Sequence, residues 1–190
     1  MNPAIRSFLW TAAVTTSALT PTSAAELTSV RTDQSSLVFV YRQMGVPVEG
    51  TFRQFSARLR FDPAAPTVAE AVLDLDLTSV DAGSPEANDE LASTLWFDTK
   101  TFPTARFVAE GVTVLGDNRY ELRGKITIKG HTRDLTTPFT FGPTNDGGLF
   151  EGAFRLMRAD FAIGEGIWAD FGTVANEVQV KFRFAASATK

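Results

Sequence analysis

Apolar and charged residues alternate through most of the chain beyond residue 25. The clearest stretch is 176–185, where Val178, Val180, Phe182 and Phe184 are separated by charged or amide residues. Alternation with period two over eight residues is typical of a β-strand with one buried face. Comparable stripes occupy residues 37–41, 50–61, 73–77, 120–128, 135–141 and 150–156. The stripe at 50–61 changes phase after Phe52, which indicates a bulge.

Turn residues separate these stripes, and one segment has a helical pattern. Asp62-Pro63, Gly116-Asp117-Asn118, Lys129-Gly130-His131 and the run from Asn145 to Gly148 predict tight connections. Short connections favour antiparallel pairing, because parallel strands need long crossovers. Residues 84–95 are predicted to be helical, with Ser84 as N-cap, Pro85 at the first position and acidic residues in the first turns.

About eight amphipathic strands predict an all-β domain, built either as a two-sheet sandwich or as a closed barrel. The composition adds 16 Phe against 2 Tyr and 3 Trp, so the interior is aromatic with few polar groups. An eight-stranded barrel is wide enough to be filled by side chains or to hold one small ligand. Alternation alone favours a filled core, since it mainly reports packing.

The first 25 residues have the order of a secretory signal peptide. Arg6 is followed by an apolar stretch over 8–19 and then by the small residues Ser23-Ala24-Ala25. Cleavage after Ala25 would leave 26–190 as one domain in the periplasm, with no second apolar run long enough to span a bilayer. The net charge of −4 would become 17 − 22 = −5 when Arg6 is removed.

Composition also limits the chemistry. With one His and no Cys, the chain cannot build His/Cys zinc sites, disulfides or Cys nucleophiles. No basic run predicts nucleic-acid binding. We interpret His131 as an exposed turn residue, Asp74 and Asp76 as a solvated strand face, and Asp160 with Glu165 as surface carboxylates, so neither a metal site nor a catalytic group is predicted.

Several ordered motifs carry a family resemblance that covers nearly the whole chain beyond residue 25. They are Gln43-Met44-Gly45, Val48-Glu49-Gly50-Thr51-Phe52, Phe61-Asp62, Ser79-Val80-Asp81, Trp96-Phe97-Asp98, the run from Gly124 to Thr132, and the run from Arg158 to Gly164. Together they resemble the YceI family of secreted, lipocalin-like proteins. The resemblance implies an eight-stranded antiparallel barrel with one short helical segment. It also implies a carrier of isoprenoid quinones, polyprenoids or other amphiphilic lipids.

The resemblance implies that the apolar faces of the strands line a lumen and do not fill a solid core. Trp96, Phe97 and Trp168 are then expected at the mouth of that lumen. An indole N–H needs a polar partner when buried, which suits a position where the apolar interior meets water. The expected lining is Phe39, Tyr41, Gln43, Met44, Phe52, Phe55, Leu73, Leu75, Trp96, Phe97, Phe107, Ile126, Phe139, Phe154, Leu156, Phe161, Ile163, Trp168, Val180 and Phe182. No covalent cofactor is expected, and the lipid would be the only bound group.

Position 43 departs from the common family pattern, because many members have His where Gln43 stands. Gln43-Met44-Gly45 is more similar to the subset found near or fused to membrane cytochromes of the b561 type, which makes such a cytochrome a candidate partner. An amide does not titrate near neutral pH, so Gln43 has no redox-linked proton role. The chain is expected to be a monomer or weak homodimer, without stable membrane insertion.

Two other functions remain open from the sequence. One is a small hydrolase or isomerase of hydrophobic substrates that uses buried carboxylates. The other is an accessory protein that hands quinone to a membrane cytochrome, which the sequence does not separate from simple lipid storage.

Overall fold

The computed structural model describes residues 26–188, most of which lie in antiparallel β-strands. The predicted secretory segment, residues 1–25, lies outside the described residues. The strands are β1 (Leu27–Gln43), β2 (Val46–Phe52), β3 (Phe55–Phe61), β4 (Glu70–Asp76), β5 (Val80–Asp81), β6 (Thr104–Gly116), β7 (Arg119–Ile128), β8 (His131–Thr144), β9 (Gly147–Met157) and β10 (Glu177–Ser187). The helical elements are α1 (Pro85–Ala92) and short 3-10 turns at Pro66–Val68, Leu77–Ser79, Arg158–Phe161 and Gly166–Trp168.

Eight strands close into a barrel in the order β1, β3, β4, β6, β7, β8, β9 and β10. The last strand pairs with the first, so that Phe39 lies opposite Val180 and Ser29 opposite Ser187. Closure leaves no open edge among these eight strands. The predicted antiparallel, lipocalin-like barrel with a single short helix is therefore confirmed, and the sandwich alternative is wrong.

The phase shift predicted within residues 50–61 is a break between β2 and β3 at Arg53 and Gln54. Long strand β1 pairs with β3 near its start and with β2 near its end. Its own register with β10 shifts between Arg31 and Ser36. There Ser35 Oγ donates to the Arg31 carbonyl (2.6 Å) and accepts from the Ala185 N–H (3.0 Å). At this bulge the Ser35 hydrogen bonds take the place of the backbone hydrogen bonds between β1 and β10. The interruption explains why residues 28–36 lack an alternating pattern.

Because neighbouring strands run in opposite directions, their connections gather at two ends of the barrel. At one end, which we call the closed end, the β6–β7 and β8–β9 turns are short. At the other, which we call the mouth, lie the β1–β2 and β7–β8 turns and two long connections, residues 77–103 and 158–176. The difference in loop length places nearly all irregular structure at the mouth.

The closed end is filled by an aromatic plug, which comprises Phe61, Tyr120, Phe139, Phe141 and Phe150. Phe61 is 1% exposed, and its ring centroid lies 4.9 Å from that of Phe141 and 5.0 Å from that of Phe150. Edge-to-face and tilted arrangements at such distances are favourable for aromatic pairs. The rings interlock across β3, β8 and β9, so this end is a solid core.

Helix α1 begins as predicted, with Ser84 Oγ accepting from the Ala87 N–H (3.2 Å) and Pro85 in the first turn. It ends at Ala92 rather than at residue 95. The Leu95 carbonyl instead accepts hydrogen bonds from the N–H groups of Gly164 (2.8 Å) and Glu165 (2.9 Å). A tertiary contact between the two long mouth connections thus replaces the last helical turn.

Candidate functional site: an apolar cavity open at the mouth

A cavity of about 530 Å³ lies between the aromatic plug and the mouth. Its wall is formed by the inward-facing side chains of the barrel strands, nearly all of them aliphatic or aromatic. At the mouth it is bordered by α1 and by residues of both long connections, including Leu91, Trp96, Ile163 and Trp168. The interior therefore changes along the barrel axis, from packed rings at the closed end to open apolar space.

Alternation along the strands separates the cavity wall from the outer surface. Ile126 and Phe154 line the cavity and are only half-buried, because one side of each faces open space. Their neighbours Lys125 and Arg155 point outward, with exposed side chains of 50% and 67%. Gly152, on the same inward row as Phe154, leaves room for a ring from the next strand: a Cβ there would lie 2.4 Å from the Phe182 ring.

The structure brings most of the sequence-predicted lining residues together around this one cavity. Those that line it are Phe39, Tyr41, Gln43, Phe52, Leu73, Leu75, Trp96, Phe97, Phe107, Ile126, Phe139, Phe154, Leu156, Ile163, Trp168, Val180 and Phe182. Contact of these side chains with a lipid stays a prediction.

Three predicted lining residues are placed elsewhere. Met44 lies in the β1–β2 turn with a left-handed backbone (φ 48°) and is 73% exposed, because β1 ends one residue earlier. Phe55 points inward but packs against the Phe184 ring at 5.4 Å and does not line the cavity. Phe161 is 2% exposed within the Arg158–Phe161 turn, where it belongs to the packed core beneath the guanidinium of Arg133.

The largest polar group buried at the mouth is Arg158, which sequence reasoning did not select. Its guanidinium donates five hydrogen bonds of 2.6–3.2 Å to backbone carbonyls of the 158–176 connection. The acceptors are the carbonyl oxygens of Ile163, Gly164, Trp168, Val174 and Ala175. All five guanidinium N–H groups are thereby used. One side chain therefore holds a loop whose only helical structure is two 3-10 turns.

Arg158 is 2% exposed and has no carboxylate among its hydrogen-bond partners. Burial lowers the pKa of Arg158, although the guanidinium remains the charged donor because its ordinary pKa is so high. The Trp96 and Phe171 rings lie 5.5 and 5.2 Å from its Cζ and stabilise the cation. Gly164 is required beside it, because its φ is +77° and a Cβ would lie 2.1 Å from Nη1.

A pattern in the sequence could have revealed Arg158. It continues the inward row of β9 that contains Phe150, Gly152, Phe154 and Leu156. A charged residue at an inward position of an otherwise apolar stripe needs buried partners. The backbone carbonyls that accept these hydrogen bonds come from residues five to seventeen positions further along the chain, and alternation carries no information about them.

A second cation joins the β7–β8 turn to both long connections. Lys129 Nζ donates to the carbonyls of Thr94 (2.9 Å) and Ala162 (2.7 Å) and to Glu165 Oε2 (3.1 Å). Its side chain is 9% exposed. The mouth is thus built on two buried cations that bind mainly backbone oxygens. These polar contacts act together with buried apolar residues of the same connections, such as Leu77, Phe161 and Ile163.

Helix α1 is attached to the facing loop by an indole. Trp168 Nε1 donates to Glu90 Oε1 at 2.6 Å, which is the polar partner predicted for a tryptophan at the mouth. In the sequence, Glu90 is one of the acidic residues in the first turns of the predicted helix, and nothing there indicates its bond to Trp168. Trp96, 5.6 Å away between ring centroids, is 7% exposed, and its Nε1 has no acceptor among residues 26–188.

The other candidate polar residues lie outside the cavity. His131 is exposed as predicted, although it begins β8 instead of lying within the turn. Asp74 pairs with Arg106 at 3.0 Å on the outer surface, and Glu165 pairs with Lys129. No group of three or more possible metal ligands occurs within residues 26–188. In the same residues, no helix is both long and apolar enough to cross a bilayer.

A closed antiparallel barrel with an apolar interior cavity and polar groups gathered at one opening defines a lipocalin-like protein. The sequence matches the model of the YceI-like domain over residues 29–186. The chain therefore belongs to the YceI family, as its motifs indicated.

One sequence relative and two solved structures agree with this family assignment. A UPF0312 protein of Azotobacter vinelandii is 31% identical over 137 residues, which is 69% of each chain. The crystal structure of BcnA from Burkholderia cenocepacia is 39% identical, covers 82% of this chain and 98% of its own, and superposes with a TM-score of 0.80. A polyisoprenoid-binding domain from Saccharophagus degradans shares the fold at 20% identity, with a TM-score of 0.67 over 87% of this chain and 99% of its own.

Proposed function

We propose that this chain binds one polyisoprenoid, isoprenoid quinone or similar amphiphilic lipid, with the apolar tail in the barrel and the polar head at the mouth. It acts as a carrier and performs no covalent chemistry. The observation that carries this proposal is the apolar cavity beneath a polar mouth.

The size of the cavity argues that it is used. Its volume of about 530 Å³ falls within the range of about 300–1,000 Å³ that is typical of small-molecule sites. Because the cavity opens at the mouth, its apolar wall is accessible to water when no ligand is bound. A lipid tail that fills it would remove this wall and the tail itself from water, which is favourable by about 25 cal/mol for each Å² of apolar surface.

The polar groups at the mouth suit a neutral or weakly polar head. Tyr41 and Gln43 follow Phe39 on the inward row of β1 and line the cavity. Burial raises the pKa of Tyr41, so that its hydroxyl stays protonated and uncharged at neutral pH. Phenol and amide groups can both donate to a carbonyl or ether oxygen. The polyisoprenoid ligand named for the Saccharophagus relative is consistent with this arrangement.

The proposal includes a location and a partner. A signal peptide over residues 1–25 would place the domain in the periplasm, and N-terminal sequencing of the secreted form should find a start at or near Glu26. A membrane cytochrome of the b561 type is the proposed recipient of a carried quinone, on the basis of Gln43-Met44-Gly45. Binding of the isolated cytochrome by the quinone-loaded protein, and not by the empty one, is the expected result.

The enzymatic alternative depends on buried carboxylates. Among residues 26–188 no Asp or Glu side chain is buried, and the buried polar residues are Thr99, Lys129, Thr137 and Arg158. The last two are occupied by backbone oxygens. Glu86 and Glu90 border the cavity at the mouth, but Glu86 is exposed and Glu90 accepts a hydrogen bond from Trp168 Nε1, so neither is a buried carboxylate. The geometry therefore favours binding over acid–base catalysis.

The test is to express the full chain in cells with membranes, purify it and analyse it by native mass spectrometry and organic extraction. A co-purified isoprenoid lipid, one per chain, is the expected result. Ile126→Asp is the matched variant, because it places a carboxyl on the cavity wall, and it should emerge empty. Arg155→Glu changes the outer surface of the barrel and should retain the lipid.

Quinone titration gives a second readout, because Trp96 and Trp168 line the cavity and their fluorescence should be quenched. A protein that emerges empty, shows no quenching with any polyprenyl quinone and hydrolyses hydrophobic esters would overturn the proposal in favour of the enzyme.

A further inference from the structure

Exposed apolar side chains lie on the part of the mouth formed by the β1–β2 turn and the 158–176 connection, and we call them the apolar rim: Met44, Val46, Ile167 and Phe171. They are 73%, 62%, 80% and 50% exposed. Single exposed apolar residues are ordinary, but a group of them at one place marks an interaction site. The fold gives a reason for an apolar side chain only at Phe171, whose ring packs against the Arg158 guanidinium.

The rim residues come from two segments that the structure joins. The Met44 N–H donates to the Thr173 carbonyl at 2.9 Å, which connects the β1–β2 turn with the loop that carries Phe171. Arg158 holds the same loop, with its Nη2 2.6 Å from the Trp168 carbonyl and its Cζ 5.2 Å from the centre of the Phe171 ring. The rim is therefore presented on a braced framework.

The rim is continuous with the cavity. Met44 directly follows Gln43, and Ile167 directly precedes Trp168, and both of these neighbours line the cavity. Val174, three residues after Phe171, lines it as well. On this side of the mouth an apolar molecule would leave the cavity past apolar side chains, whereas Glu86 and Glu90 border the cavity on the side of α1.

We propose that the apolar rim docks the mouth onto the surface of a lipid bilayer, so that a lipid moves between membrane and cavity without entering water. This inference rests on the proposed function. Turn tips that carry large aliphatic and aromatic side chains insert into the interface region of a bilayer, and the binding grows with buried apolar area.

The charged residues near the apolar rim indicate which kind of bilayer surface it binds. Near the rim, Arg42 is exposed, but so are Glu49, Glu165 and Asp170. The whole chain has a formal net charge of −4. Attraction to anionic head groups requires clustered Lys and Arg, which the rim lacks. Docking therefore rests on apolar insertion into a surface of zwitterionic lipid, and it should be insensitive to salt.

A second copy of the chain fits the rim less well. A stable protein interface buries about 800 Å² on each partner, from about 20–30 residues. Four side chains on two turns are too few for that, whereas a fluid bilayer needs only protruding apolar tips.

The test is flotation of the purified full chain with phosphatidylcholine vesicles. The rim variant is Met44→Asn with Ile167→Gln, where Asn suits the left-handed backbone at position 44. The matched control is Val114→Thr with Leu115→Gln, because both of these residues are 50% exposed and lie at the closed end. The rim variant should bind vesicles about tenfold more weakly, at low and at high salt, and the control should bind like the parent protein.

Transfer of a polyprenyl quinone separates docking from ligand binding. The rim variant should take up quinone from vesicles about tenfold more slowly and from detergent micelles at the parental rate, as read by tryptophan quenching. Failure of the parent protein to float, equal loss in both variants, or a concentration-dependent dimer that only the rim variant abolishes would overturn docking. Absence of quenching from either source would count against the proposed function, while flotation would still decide whether the rim binds membranes.

Discussion

The two ends of the barrel are built from the same strands but differ in what is added to their apolar packing. At the closed end, Phe61 and Phe150 interlock with neighbouring rings and are 1% and 7% exposed. At the mouth, buried apolar residues such as Leu77 and Ile163 pack beside two buried cations, Arg158 and Lys129, that bind loop carbonyls. Dispersion and the hydrophobic effect act in both regions, and charge-assisted hydrogen bonds are added at the mouth.

The difference shows how one strand pattern can serve both as core and as binding site. β9 contributes Phe150 and, four residues later, Phe154, and both face inward and border the cavity. Phe150 also packs into the plug and is 7% exposed, whereas Phe154 is only half-buried. What separates them is how completely the barrel is filled at each level.

The largest effect is expected from removing the guanidinium at the mouth. Arg158→Met should lower the free energy of unfolding by about 5 kcal/mol, since several buried carbonyls lose their donors at once. Arg158→Lys should recover only part of this, because an ammonium has three donors for five carbonyls. Chemical denaturation measures both. A loss below about 1 kcal/mol in Arg158→Met would show that water replaces the guanidinium and that the mouth is not built on it.

The plug and the cavity wall can be compared on one strand. Phe150→Ala should cost about 3–5 kcal/mol of stability, the usual cost of truncating a packed core ring. Phe154→Ala should cost about 1–2 kcal/mol, because its ring lacks partner atoms on the side that faces the cavity.

Quinone affinity should respond in the opposite sense, falling more in Phe154→Ala than in Phe150→Ala. Thermal unfolding and tryptophan quenching of both variants supply the comparison. Equal stability losses would mean that the barrel is solid at both levels.

The next largest effect is the difference between substitutions on the inner and on the outer surface of the barrel wall. Ile126→Asp places a carboxyl against apolar neighbours, which costs several kcal/mol or keeps the group protonated. Quinone binding should be lost. Arg155→Glu, whose side chain is 67% exposed and 3.5 Å from Glu177, should change stability by less than about 1 kcal/mol and leave binding intact. The reverse result would contradict the assignment of inward and outward faces.

The smallest effect on stability is expected for an ion pair on the outer surface of the barrel, which belongs neither to the aromatic plug nor to the mouth. Lys125 Nζ donates to Asp134 at 2.6 Å and lowers the pKa of that carboxyl below its usual 3.8. The pair's small contribution to stability is therefore present above pH 3.8 and is lost as the pH falls through the lowered pKa.

A carboxyl-carbon NMR titration should show Asp134 titrating below 3.8 in the parent protein and closer to 3.8 in Lys125→Gln. Titration at the same pH in both proteins would show that the ion pair does not persist in solution.

The barrel walls could be predicted because strand alternation is a local property. Ile126 and Phe154 fall on the inward face and Lys125 and Arg155 on the outward face by counting alone. The same counting misplaced Met44, since nothing in the spacing shows that β1 ends at Gln43. Phe161 was misplaced for a related reason. The 158–176 connection has no period, and a Phe in it can face the cavity or the core.

Polar groups at the mouth were the least predictable part of the site. Arg158 stands in the sequence as a charge on an apolar strand face, but its partners lie in an irregular loop five to seventeen residues further on. Glu90 stands there only as an acidic residue of the helix, and its partner lies in a distant part of the chain. The Glu90–Trp168 bond joins residues 78 positions apart. Hydrogen bonds of this range depend on where the connections meet, and that is set by the closure of the barrel.

Local sequence patterns were enough to predict amphipathic antiparallel strands, the apolar side of most strands, the positions of the tight turns and the family that the chain resembles. These follow from neighbours along the chain and from steric rules of short range. The solid plug, the open middle of the barrel and the two buried cations at the mouth became visible only in the folded barrel. It alone gathered Met44, Val46, Ile167 and Phe171 into one rim. Volume, burial and loop contact are properties of the closed barrel, and no single strand carries them.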